Sequence, residues 1–257
     1  MSVTAAFLLA LVLPLAAALH ATGGALLPLL VVALVVAVGF TLLFARLRGR
    51  PMDWYAVVTA IIFALMVPPG VPLWQAMLAL AFGVVVGEQV FGGRGYSFLH
   101  PAVAALAFLF FSFPGSATGQ ANFPLVAAAV VPGAVVLLAN RVISWRILAG
   151  LAVGLAGWSA LKGFPHPWQE VLTSPLALGV VFLACEPVAA AATNPGRWAY
   201  GLLAGILVVV LGEAGDGSGS ASAIVFSALL GSVFAPLIDR IVILLNVNRR
   251  RRRQWPT

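Results

Sequence analysis

Residues 31–44 read VVALVVAVGFTLLF and residues 81–90 read AFGVVVGEQV. Neither stretch alternates. A membrane-crossing β-strand repeats apolar and polar residues with period two over about ten positions, whereas a helix immersed in hydrocarbon is apolar all round. The spans are therefore helical. Composition agrees: 62% of the 257 residues are hydrophobic and 8% charged, outside the range of water-soluble domains. This is an all-α polytopic integral membrane protein.

A hydrocarbon core of about 30 Å asks for about 20 residues per helix, so about ten spans fit if connections are short. No separate soluble domain remains, and residues 1–257 form one membrane domain. Apolar runs place the spans at 3–19, 25–45, 54–67, 73–90, 101–113, 125–140, 147–161, 172–187, 199–212 and 221–245. Several are shorter than a full crossing. Short or broken helices are tolerated in a bilayer only where protein or a polar cavity covers their free backbone groups. Met1–Leu19 has no Lys or Arg ahead of its apolar run and reads as the first span, not as a signal peptide. The lone Cys185 excludes an internal disulfide and any multi-cysteine metal or iron–sulfur site within the chain, and reads as a small apolar helix residue.

An amino terminus in the cytoplasm puts Arg46, Arg48, Arg50, Arg94, Arg141, Arg146, Arg197 and Arg249–Arg253 inside, and only Lys162 outside. The positive-inside rule then gives a ten-span protein of the inner (plasma) membrane with both ends cytoplasmic. Two five-span groups, residues 1–120 and 121–248, would have opposite orientations, as an inverted repeat requires, although no self-similarity aligns them. Residues 249–257 form a basic cytoplasmic tail. Directly after an apolar helix, its arginines suit anionic lipid headgroups or a partner protein, not nucleic acid.

Two motifs interrupt the apolar pattern. FGGRGYSFLHPA, Phe91–Ala102, follows Glu88 with a turn of Gly92, Gly93 and Gly95 that carries Arg94, then His100 and Pro101 opening a helix. Glycines allow close backbone approach, and a helix start favours an anion, so the motif suits a phosphate, a flavin ring edge or a quinone carbonyl. It equally suits a tight cytoplasmic turn with Arg94 against lipid phosphate. CEPVAAAATNPGRW, Cys185–Trp198, sets Glu186 before Pro187 and ends in Thr193, Asn194, Pro195, Gly196 and Arg197. Small residues and a proline suit a broken helix that lines a polar site. The alternative is an interfacial glutamate paired with Arg197 or Arg94.

Other polar residues carry less. Asp239, in APLIDR, is expected to pair locally with a cation; Glu213 and Asp216 solvate an outer loop; His20 and His166 lack metal-ligand partners. The outer loop FPGSATGQANFP holds Ser116, Thr118, Gln120 and Asn122, which satisfy turn hydrogen bonds, and no general base stands beside a hydroxyl as a hydrolase would need.

FGGRGYSFLHPAVAALAFLFFSFP, CEPVAAAATNPGRWAYG and FAPLIDRIVI, in that order and followed by a basic tail, resemble the membrane subunits NqrB and RnfD of sodium-pumping NADH:quinone reductase and of the Rnf electron-transport complex. The resemblance covers roughly residues 85–250. It implies a ten-helix inverted repeat of urea-transporter architecture and a subunit that passes electrons through bound flavin, FMN or riboflavin. Its partners would be other subunits of a redox complex or a flavoprotein, with quinone as acceptor and membrane lipids around it. Transfer would be coupled to Na⁺ or H⁺ movement, by a component of an oxidoreductase and not a self-contained catalyst.

The family joins FMN by a phosphoester to a threonine in an SGAT-like motif, matched here by GSAT, hence Thr118 with Ser116 beside it. Gly and Ser are exchanged, and no aspartate precedes the threonine. By the same resemblance Gly93, Arg94, Gly95, His100, Glu186, Thr193, Asn194 and Arg197 are cofactor-binding candidates. The family's asparagines correspond here to Ser97 and His100, and its TDPV aspartate to Glu186. Two other readings stand beside this one: a small-solute transporter or channel of the same architecture without redox activity, and a structural scaffold for a redox assembly.

Overall fold

The computed structural model describes residues 2–117, 123–162, 174–214 and 220–254. Within them every regular element is helical. Helices α1 (Val3–Ala21), α2 (Leu27–Arg48) and α3 (Tyr55–Met66) are followed by α4 (Leu73–Val84), which widens into a π turn at Val85–Gln89. Next come α5 (Pro101–Ser112), a 3-10 turn (Pro114–Ala117), α6 (Pro124–Ala139) and α7 (Trp145–Lys162). A short α8 (Ser174–Leu178) passes into a second π segment, Gly179–Ala184; α9 (Asn194–Glu213) and α10 (Ala221–Gln254) complete the chain.

Among the described residues, α1, α2, α9 and the Ala221–Val247 part of α10 are long and apolar enough to cross a membrane. Helix α3 is not. Its 12 residues rise about 18 Å, roughly half of a hydrocarbon core. The candidate span at 54–67, one of those too short for a full crossing, is thus a half-helix. Most of α3 is buried, Tyr55 through Met66, so protein and not lipid covers its open end. It touches α8, another short apolar piece. Between them Phe7 of α1 lies edge-on to Tyr55 at 5.6 Å and 6.3 Å from Phe182, which joins three elements at one aromatic contact.

The same pairings recur in α1–α5 and α6–α10. Contacts α2–α4, α4–α5, α1–α3 and α3–α5 are matched by α7–α9, α9–α10, α6–α8 and α8–α10, while α1 packs on α6 and α5 on α10. Outward-facing Val31, Val35 and Leu43 of α2 and Leu237, Ile241 and Leu244 of α10 are exposed and apolar, as hydrocarbon-facing positions require.

Two boundaries differ from the sequence reading. Helix α9 begins at Asn194, not at 199, because the Thr193 hydroxyl accepts a hydrogen bond from the Gly196 N–H at 3.2 Å and Pro195 fits the first turn. Helix α10 does not stop at 245 but continues to Gln254, carrying the arginine run on helical backbone.

Candidate functional site: a buried polar cluster and an apolar cavity at opposite faces

The glycine turn, the 185–193 break and the start of α3 meet at one face, the basic face, where arginines from α2, the glycine turn and the breaks also gather. Glu186 is only 2% exposed. Its Oε2 accepts from the Val188 and Ala189 N–H groups, both at 2.9 Å, and its Oε1 receives the Arg94 guanidinium at 3.4 Å and the Tyr55 hydroxyl at 3.5 Å. Arg94 also sits over Tyr55, its guanidinium carbon 3.1 Å from the ring centroid. His100 caps α5: Nδ1 accepts from the Ala102 N–H at 3.1 Å, so a neutral ring carries its proton on Nε2, 3.5 Å from the Tyr55 oxygen. The direction of the hydrogen-bond chain follows. His100 donates to Tyr55, Tyr55 donates to Glu186, and the carboxylate is held by four donors, one of them cationic.

The turn that carries Arg94 is itself clamped. Gly92, Gly93 and Gly95 have φ of +113°, +99° and +89°, a conformation side chains resist. Arg50 donates to the Gly92 carbonyl at 3.1 Å, and Arg48 reaches both the backbone carbonyl and, at 3.4 Å, the side-chain oxygen of Gln89. Gln89 in turn donates to Glu88 at 3.0 Å.

Asp239 holds the second break. Its carboxylate accepts from the Ala192 N–H at 2.7 Å, the Thr193 N–H at 3.0 Å and the Thr193 hydroxyl, and it leaves no room for a Cβ at Gly196. The expected local pairing with a cation is thus replaced by backbone capping across 46 positions; its donors come from another helix junction, which sequence proximity hides. Asp239→Asn, which exchanges one acceptor oxygen for a donor, should cost about 1–3 kcal/mol in a detergent melt and open the 185–193 segment to protease.

The opposite face holds a cavity of about 370 Å³ between the α1–α2 turn, the 67–72 link, Phe123 and Pro175–Leu178. Its walls are largely apolar, with Leu26, Leu29, Met66, Val71, Phe123 and Leu178 among them and no charged side chain among the described residues. Lys162 and Glu213 pair at 3.2 Å at the far ends of α7 and α9.

Residues 1–124 and 119–247 match the NQR2, RnfD, RnfE family. The chain belongs to that family. It is 33% identical over 277 residues to the NqrB subunit of Na(+)-translocating NADH-quinone reductase from Ectopseudomonas mendocina, a match that spans 87% of this chain and 68% of that protein. The corresponding subunits from Haemophilus influenzae (32% over 284 residues, 88% and 69% covered) and Azotobacter vinelandii (31% over 277 residues, 87% and 68% covered) are similar to this chain to the same degree.

In this NQR2/RnfD/RnfE chain the residues singled out by sequence separate into two groups. Arg94, His100 and Glu186 come together, on a turn whose shape Gly93 and Gly95 supply. Thr193 caps α9, Asn194 is exposed at its first position, and Arg197 donates to the Ala191 carbonyl at 3.3 Å. Ser116 lies in the 3-10 turn on the way from α5 to α6, and Thr118 lies outside the described residues. Tyr55, Gln89 and Arg48 are not marked out by any sequence motif, yet they tie the cluster together. A signal for Tyr55 exists in the sequence: a phenol two positions after Asp53, whose side chain accepts from the Tyr55 N–H at 2.9 Å and starts α3.

Proposed function

We propose that this chain is a membrane subunit of an electron-transfer complex akin to the Na⁺-translocating NADH-quinone reductase of its relatives, and that it carries flavin at the face opposite its arginines. The observation that carries the reading is the cavity beside Phe123. Its volume of about 370 Å³ lies within the ~300–1,000 Å³ usual for small-molecule and cofactor sites, and its largely apolar walls, uncharged among the described residues, suit a flat tricyclic ring. Phe123 is in its wall, and Thr118, the threonine the family resemblance marks for a phosphoester, stands five positions before it in the sequence. When bound, flavin supplies the one- and two-electron chemistry; Leu29, Met66, Phe123 and Leu178 would exclude water from it and hold its plane.

At the basic face, the Arg94–Glu186–Tyr55–His100 assembly keeps the two backbone breaks shut. The polar groups satisfy one another, which supports a closed wall that prevents leakage across the thin middle of the protein, where α3 and α8 meet. Positive-inside asymmetry supports a cytoplasmic location for this face in a plasma-membrane protein. The recurring helix pairings support two inverted halves, residues 1–120 and 121–248. Partner subunits would dock at the helix ends, exchange electrons with the flavin and couple transfer to Na⁺ or H⁺ movement, with quinone as acceptor.

Denaturing electrophoresis under ultraviolet light tests the attachment. The wild-type band should fluoresce and that of Thr118→Val should not. Fluorescence that survives in the variant would move the tether elsewhere, and a dark wild-type band over a yellow native preparation would make the flavin non-covalent.

A further inference from the structure

We infer that the recess between the α6–α7 turn and the 185–193 break is a binding site for a single phosphate group. The recess measures about 50 Å³ and is lined by Arg141, Ser144, Pro187, Ala190, Ala191 and Arg197. It has room for one tetrahedral anion and none for an aromatic ring. Three features point to an anionic ligand. The Ser144 Oγ is buried without any hydrogen-bond partner, a costly arrangement that a bound acceptor would relieve. Arg141 and Arg197 both line the space, and neither takes part in the two ion pairs found among the described residues. Ser144 also stands directly before α7, an 18-residue helix whose first N–H groups add positive potential.

The backbone on the α6 side of the recess is fixed by the closing turn of that helix. Arg141 is the one non-glycine residue with positive φ among those described, +55°, held where its N–H donates to the Leu138 carbonyl at 2.9 Å and that of Val142 to Leu137 at 2.9 Å. Asp239 influences Arg197 electrostatically, but its oxygens are committed to Ala192 and Thr193, so it does not fill the recess. Beside the recess, Trp145 and Trp198 meet edge-to-face at 5.6 Å and are both exposed, the arrangement of aromatic anchors at headgroup level. A phosphate could therefore come from an anionic phospholipid or from solution, and the chemistry of recognition is the same.

The test uses the full-length protein in neutral detergent, melted with increasing inorganic phosphate against chloride at constant ionic strength, and separately with added phosphatidylglycerol against phosphatidylcholine. Stabilisation by both ligands supports the site with either source; phosphatidylglycerol alone identifies the lipid, and inorganic phosphate alone a soluble ligand. Arg141→Gln should abolish the response. Ser144→Ala, which removes the orphan hydroxyl and should fold at least as well, should weaken it about tenfold, the loss of one hydrogen bond to a charged ligand. No stabilisation of the wild type by either ligand, or an undiminished response in Ser144→Ala and Arg141→Gln, overturns the proposal.

Discussion

Arg94→Ala is expected to lower stability by about 3–5 kcal/mol, the range for removing one partner of a buried ion pair. Glu186 cannot follow its lost partner into water. It is 2% exposed, and its second oxygen is fixed by Val188 and Ala189 N–H groups, so the variant would bury an uncompensated carboxylate beside Tyr55. Arg94 contributes packing as well, since its guanidinium covers the Tyr55 ring. The double variant Arg94→Ala/Glu186→Gln should recover part of the loss, because a neutral amide removes the charge but not the empty space over the ring. Thermal denaturation in detergent, followed by tryptophan fluorescence, measures both. An Arg94→Ala protein that melts with the wild type would show that the pair does not hold the breaks together.

Gly205→Val should have the larger effect and leave little folded protein. A Cβ at 205 would stand 2.2 Å from the Leu151 carbonyl oxygen and 2.7 Å from the Leu155 nitrogen. These are backbone atoms of α7 and cannot swing aside. Gly154 on α7 faces the same constraint from the Leu202 carbonyl at 2.4 Å, so the two helices touch backbone to backbone along small residues, as membrane helices do where association rests on close packing. Ordinary overpacking costs about 1–3 kcal/mol, and here a helix axis must move. Gly157→Ala is the control. Its Cβ would meet nothing within 4 Å, and alanine is the better helix former, so it should be neutral or mildly stabilising. The readout is the yield of monodisperse protein in size-exclusion chromatography.

Much of the architecture is legible from composition and the apolar runs, because hydrocarbon imposes a uniform demand on every span. The half-helices are less so. Tyr55–Met66 and the stretch after Ser174 are as apolar as a crossing helix, and only the prolines at 68, 69 and 72 and at 187 signal that the chain turns back. The start of α9 is hidden because Pro195 and Gly196 read as breakers, whereas the Thr193 cap makes them a first turn.

The pairing of Glu186 with Arg94 is one of two alternatives in the sequence, and the structure selects it. The rest of that cluster is out of reach. Tyr55 meets His100 across 45 positions and Glu186 across 131, separations over which local pattern carries no information. The apolar cavity escapes for a related reason: it is assembled from the ends of several helices, each of which alone is an ordinary hydrophobic terminus.

The absorption spectrum of the purified native protein, before and after dithionite, tests the central claim most directly. A flavin-carrying subunit must show the paired visible bands of oxidised flavin, lose them on reduction and regain them in air. A colourless preparation that moves a small solute into flavin-free liposomes without any electron donor would contradict it.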